Sequence, residues 1–144
     1  YTLAGGQLSE ALVSEVVFAC GQIATAPYTT PTTQQVPDML GDYLRCYDVV
    51  MMHRHGSVTV GPDLDTALGR LDALEHTAGI YCMVRMLGGA TPIAPTEVDR
   101  LFALAHPQPP PYRVPGSTCP APEPQVVGDR DLVQAVLRAL GARS

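Results

Sequence analysis

The chain has 144 residues, 46% of them apolar, and carries a formal net charge of −5. That length and apolar fraction suffice for one domain with an ordinary core. An acidic balance without clusters of basic residues excludes a nucleic-acid surface, which needs a concentrated positive face.

Taken in chain order, Leu12 to Ala19 is an apolar run broken only by Ser14 and Glu15 and bounded by Gly21. It reads as a buried strand, with Gln22 to Ala26 as a second short one. Pro27 to Pro31 is a turn. A helix is predicted from Thr33 as N-cap to about Arg45, with Pro37 among the first positions, whose N–H groups lack intrahelical partners. Val49-Val50-Met51-Met52 is the next strand. If it stays regular to Gly56, His53 and His55 share one face.

Ser57 to Val60 leads out of that corner toward Gly61-Pro62. The longest helix opens at Pro62-Asp63, carries Leu64, Leu68, Leu71, Leu74, Ala78 and Tyr81 at three- and four-residue spacing, and stops at Gly88-Gly89. At roughly 24 residues it would be ~36 Å long, enough to cover one side of a sheet. Thr96 to Ala105 forms a shorter helix with Pro95 and Glu97 at its start. Eight of the fourteen prolines then fall between His106 and Val127; this composition predicts an extended arm over 106–127. Beyond it, over 128–144, Asp129 caps a helix whose Leu132, Val133, Val136, Leu137 and Leu140 make one apolar stripe that must be buried. No internal repeat is found, and no run approaches the ~20 apolar residues of a membrane span. With no signal segment at the start, a soluble, cytoplasmic protein is expected.

The chemistry-bearing residues are few. All nine basic residues are arginine, so a lysine Schiff base is excluded within this chain. Cys20, Cys46, Cys82 and Cys119 form no Cys-x-x-Cys pair and read as buried reduced thiols. Glu15 is the acid within an apolar run, where an unpaired carboxylate is costly, so it needs a partner. His76 reads as a helix-face residue beside Glu75, His106 as solvated, Tyr28 as a turn residue bonding through its hydroxyl, and His53 as a packing residue. His55, directly before Gly56 at a strand end, is a candidate metal ligand, though a catalytic zinc wants about three protein donors.

Ser14-Glu15-Val16-Val17, Ala26-Pro27-Tyr28-Thr29-Thr30-Pro31, Met51-Met52-His53-Arg54-His55-Gly56-Ser57-Val58-Thr59-Val60-Gly61 and Asp65 to Ala78 with Leu74-Glu75-His76 together resemble the second half of the class II aldolase/adducin family, in its order and spacing. The resemblance implies an α/β fold, a three-layer α/β/α domain with a mixed, mostly antiparallel central sheet, of which residues 1–105 supply the C-terminal part. It implies that His55 is a metal ligand, leaves His53 and Arg54 at variable positions, and places Tyr112 near the family's C-terminal proton-donating tyrosine. The family's other two metal histidines, its acidic base and its phosphate loop lie upstream of the point matching Tyr1.

The implied activity is metal-dependent lyase chemistry: aldolase-type carbon–carbon cleavage of a small, phosphorylated hydroxy-carbonyl substrate. The implied cofactor is a divalent ion, zinc above all, and the implied assembly a homotetramer with an upstream segment or polypeptide supplying the other ligands. Epimerase, decarboxylase or dehydratase chemistry on the same scaffold, or a non-catalytic adducin-like module, are the alternatives, because a fold does not dictate its chemistry. A chain lacking upstream strands is expected not to fold by itself.

Overall fold

The computed structural model describes residues 1–106 and 119–120. After a short turn at Thr2–Ala4 come α1 (Ser14–Cys20), β1 (Ile23–Ala26), α2 (Gln35–Leu44), β2 (Val49–Met52), β3 (Gly56–Thr59), α3 (Leu64–Met86) and α4 (Pro95–Ala105). The sheet order is β1-β2-β3. β1 runs parallel to β2, from Ile23 opposite Val49 to Ala26 opposite Met52. β2 and β3 form an antiparallel hairpin ending at Met52 opposite Gly56. The sheet is thus mixed, as expected. Tyr112, the proline-rich arm apart from His106 and Cys119-Pro120, and the C-terminal stripe lie outside the described residues.

Successive side chains of a strand point to opposite faces, and β2 uses both. Val49 and Met51 join Val16, Val17, Cys20, Leu74 and Tyr81 in a core under α1 and α3, with Val98, Leu101 and Phe102 of α4 packed against it. Val50 joins Ala24, Ala26, Tyr43, Cys46 and Tyr47 in a second core under α2. Val49 and Val50 are fully buried, each worth about 1.5–3 kcal/mol relative to exposure. Helices therefore cover both faces of the sheet, which is the three-layer α/β/α arrangement expected.

The expected strand at Leu12 to Ala19 is instead a helix. Val16, Val17 and Cys20 are buried while Glu15 and Phe18 face outward, a helical spacing that a short continuous apolar run hides. Gly21 ends α1 at φ 66°, with its N–H donating to the Val17 carbonyl. Glu15 is consequently exposed in the first helical turn, where a carboxylate suits the helix dipole, and accepts from the Ser14 hydroxyl at 3.2 Å. No buried carboxylate has to be satisfied there.

α2 begins one turn-residue later than expected. Gln34, not Thr33, precedes it, and the Thr33 hydroxyl donates to the Thr30 carbonyl at 2.7 Å instead. Pro37 stands third in the helix, at a cheap position. α3 is capped by Asp63, whose carboxylate accepts from the Thr66 N–H at 2.7 Å. Its buried residues are Arg70, Leu74, Thr77 and Tyr81; Leu74 and Tyr81 belong to the expected stripe, whereas Leu64 and Leu68 at its start are exposed. Arg70 joins the buried side because it finds partners inward, as described below. Gly88 and Gly89, at φ 102° and 110°, end it as expected.

Three of the four cysteines differ from expectation. Cys46 at the end of α2 is disulfide-bonded to Cys119, 73 residues away, and the Tyr47 hydroxyl donates to the Pro120 carbonyl at 3.1 Å beside it. Cys20 is a buried free thiol and Cys82 an exposed one on the outer side of α3. Apolar sequence neighbours do not reveal which helix face a cysteine occupies, and sequence alone cannot give disulfide connectivity.

Candidate functional site

β2 ends at Met52, so His53-Arg54-His55 is a hairpin turn rather than a strand, and the two histidines do not share a strand face. The His55 N–H closes the turn on the Met52 carbonyl at 3.0 Å, with Arg54 at φ 65°. Gly56 follows at φ 127°, a value that L side chains avoid, and a Cβ there would meet nothing within 4 Å. The glycine is therefore required by the backbone, and the space beside it is open.

Because β1 and β2 run parallel and end level with each other, the chain leaving β1 passes alongside this turn. The His53 N–H donates to the Ala26 carbonyl at 3.1 Å, which carries the pairing one step past the strands. Two residues further, the half-buried His55 places Nε2 2.7 Å from the Thr29 carbonyl. A carbonyl only accepts, so Nε2 carries the proton and the lone pair lies on Nδ1. The Tyr28 ring stacks on the imidazole, centroids 5.5 Å apart and planes inclined by 25°. It is thus the Tyr28 ring, rather than its hydroxyl, that makes the contact seen. The Thr29 hydroxyl oxygen is buried without a hydrogen-bond partner among the described residues.

His55 meets the requirements of one metal ligand: an imidazole at an open edge, its second nitrogen held by a backbone carbonyl as ligating histidines usually are. Among the described residues no group of three or more His, Cys, Asp or Glu side chains converges as a metal site. The structure therefore supplies one fitting donor and not a set. His53 is half-buried in the same turn, and His76 is exposed on α3, as expected of a helix-face residue. His106, expected to be solvated, is half-buried at the end of α4, where Nε2 meets the Val17 carbonyl at 3.1 Å and the ring packs on Phe102. It serves the α1–α4 junction.

The contribution of Tyr28 and Thr29 to His55 was not apparent from the residues. The parallel register sets the Ala-Pro-Tyr-Thr segment beside the His-Gly corner. Behind the sheet, the buried Asp48 and Arg70 form an ion pair at 2.9 Å, equally unannounced by local pattern.

A mixed sheet with helices on both faces defines a three-layer α/β domain. The chain belongs to the class II aldolase and adducin N-terminal domain family, whose model matches residues 1–82. Among curated relatives, rhamnulose-1-phosphate aldolase of Pectobacterium atrosepticum is 33% identical over 89 residues, covering 62% of this chain and 31% of the relative. The enzyme of the same name from Yersinia pestis is 33% identical over 90 residues, covering 62% and 32%. The chain thus spans about a third of the length of the curated relatives it matches. Among solved structures, YgbL of Escherichia coli, a candidate aldolase/epimerase/decarboxylase, superposes with a TM-score of 0.58 at 19% identity over 71% of this chain and 53% of that one. YgbL of Klebsiella pneumoniae gives 0.59 at 22% identity over 70% and 53%. Both share the fold. Among the described residues, no helix is long and apolar enough to cross a membrane.

Proposed function

We propose that this chain is part of a metal-dependent lyase that cleaves a carbon–carbon bond in a small, phosphorylated hydroxy-carbonyl compound. Membership of the class II aldolase and adducin family and the likeness to rhamnulose-1-phosphate aldolases support the reaction class. The observation that carries the site is His55, held by the Thr29 carbonyl at an open hairpin edge beside Gly56. In this reading His55 is one ligand of a divalent ion, with zinc the leading choice, and the remaining donors come from a preceding segment or another polypeptide in a homotetramer. A divalent ion bound there supplies Lewis acidity toward the carbonyl and hydroxyl oxygens of the substrate. The residues of this chain orient that ligand and leave space beside it, and Tyr112 is assigned the role of proton donor.

The test compares two histidines two positions apart in the assembled protein. His55→Ala is expected to lower divalent-metal content, measured by elemental analysis, and to abolish cleavage of rhamnulose 1-phosphate. His53→Ala is expected to keep most of both. Identical behaviour of the two variants, or full metal content without His55, rejects the aldolase-type site and leaves the non-catalytic, adducin-like reading in its place.

A further inference from the structure

The chain changes layers between α4 and Cys119. α4 ends on the α1 side of the sheet, where the His106 ring that caps it meets the Val17 carbonyl. Beyond it, Cys119 is bonded to Cys46 at the end of α2, on the opposite face, and the Tyr47 hydroxyl donates to the Pro120 carbonyl at 3.1 Å. Two consecutive residues thus hold two consecutive residues, one contact covalent and the other a hydrogen bond. The two sides of the bridge differ in access. Cys46 and Tyr47 are buried, at 7% and 8% exposure, in the second core, which α2 alone among the described helices closes, whereas Cys119 is exposed. A thiolate opens a disulfide by attacking one of its sulfurs, so access decides which sulfur is attacked, and exposed bridges are the labile ones. Here the open approach is to Cys119.

We propose that the Cys46–Cys119 bridge is a reversible redox tether, opened by small thiols at the Cys119 sulfur, which fastens Cys119-Pro120 to the end of α2 when oxidised and releases them when reduced. A thiolate attacking Cys119 Sγ forms a mixed disulfide there and breaks the bond to Cys46, whose sulfur leaves with the electron pair and takes a proton from solvent. A second thiol displaces the first from Cys119. Two external thiols thereby become one external disulfide while the bridge becomes two cysteine thiols, and an external disulfide drives the same steps backward. The Tyr47–Pro120 hydrogen bond is not consumed in this chemistry. By itself it is too weak to keep the segment in place, yet it biases Cys119 toward Cys46 and so favours reclosure. What the tether restrains is the last turn of α2, where the Cys46 and Tyr47 N–H groups both donate to the Tyr43 carbonyl at 2.9 Å. Helix ends fray unless held from outside, and the bridge is such a hold. The tether is independent of the reaction proposed above.

The experiment places the full chain, as the assembled protein, in buffers of glutathione and glutathione disulfide. Mass spectrometry after acid quench and alkylation reads the state of each cysteine, and amide hydrogen exchange reads α2. Cys46 and Cys119 should pass together from bridge to thiols as the buffer becomes more reducing, at a rate proportional to glutathione concentration and with the far-ultraviolet circular dichroism unchanged. The transient glutathione adduct should sit on Cys119. Exchange at the Cys46 and Tyr47 amides should quicken several-fold on reduction, and glutathione disulfide should restore both bridge and protection. Cys119→Ser, which changes the exposed partner and spares the core, should exchange like the reduced wild type and ignore glutathione. An opening rate independent of glutathione overturns the proposal, because the bridge then opens only through unfolding and is a fixed staple. So does an adduct on Cys46, a bridge that does not re-form, or unaltered exchange at Cys46 and Tyr47 in both the reduced protein and Cys119→Ser.

Discussion

The guanidinium of Arg70, midway along α3, lies 2.9 Å from the carboxylate of Asp48, the residue leading into β2, with both side chains at one-tenth exposure or less. Arg70 Nε also donates to the Ala19 carbonyl at 3.2 Å, and its Nη1 to the Val60 carbonyl. One side chain thereby ties the end of α1, the start of β2 and the exit of β3 to α3. This is why α3 turns an arginine inward.

Removing one member of that pair strands the other as a buried charge, and the cost of doing so is about 3–5 kcal/mol. Arg70→Met is expected to lower the unfolding free energy by that order in denaturant titrations. Replacing both, as Arg70→Met with Asp48→Leu, is expected to cost clearly less. Equal losses in the single and double variants show that the carbonyl contacts of Arg70, not its charge pairing, hold the junction.

The four cysteines are expected to react in three ways in protein prepared without reductant. Cys82, exposed on α3, should be alkylated in the native state; Cys20, buried, should react only on unfolding. Cys46 and Cys119 should react only after reduction. Mass spectrometry of peptides alkylated in sequence with light and heavy reagent reads each outcome. Labelling of Cys46 without reductant removes the bridge.

Burial pushes the Cys20 thiol up to about 11, with the nearby Arg70 charge opposing, and the Tyr81 phenol up to about 12. Both folded groups hold a proton that the unfolded chain releases earlier. Their contribution to stability is therefore complete below the ordinary thiol range, near 8.5, and declines as pH rises toward the folded values. Melting temperature should fall between pH 9 and 11, and Cys20→Ala should start lower but fall less steeply across that window. An unchanged slope in the variant assigns the alkaline loss to another group.

Thr29→Val removes the buried hydroxyl that has no partner among the described residues, while keeping the shape and the carbonyl that His55 uses. An unpaired buried hydroxyl costs about 1–3 kcal/mol, so the variant should be as stable as wild type or more so in thermal melts, with the His55 tautomer unaltered. A destabilised Thr29→Val shows that the hydroxyl is bonded in the assembled protein.

Much of this architecture was legible in the residues because it depends on near neighbours. Asp63 ahead of an amphipathic stretch, Gly88-Gly89 behind it, Pro95 at a helix start and the β2–Gly56–β3 corner act within a few positions of themselves. They were located by turn chemistry and periodicity alone, and the family resemblance ordered them into layers. α1 failed on the same ground: seven residues are too few for helical and strand periods to separate when Val16 to Cys20 are apolar without a break.

What the sequence by itself determined, then, is the set of elements with strong local signals and the presence of one histidine beside a glycine whose φ no other residue takes easily. The tertiary structure decided which groups those elements bring together: Thr29 to His55 across 26 residues, Cys46 to Cys119 across 73, and Asp48 to Arg70 from different elements. The physical reason is the same in each case. A helix or strand start is set by backbone groups that must bond locally, whereas the partner of a side chain is set by where chain pairing and core packing place a second element, and no spacing along the chain encodes that distance.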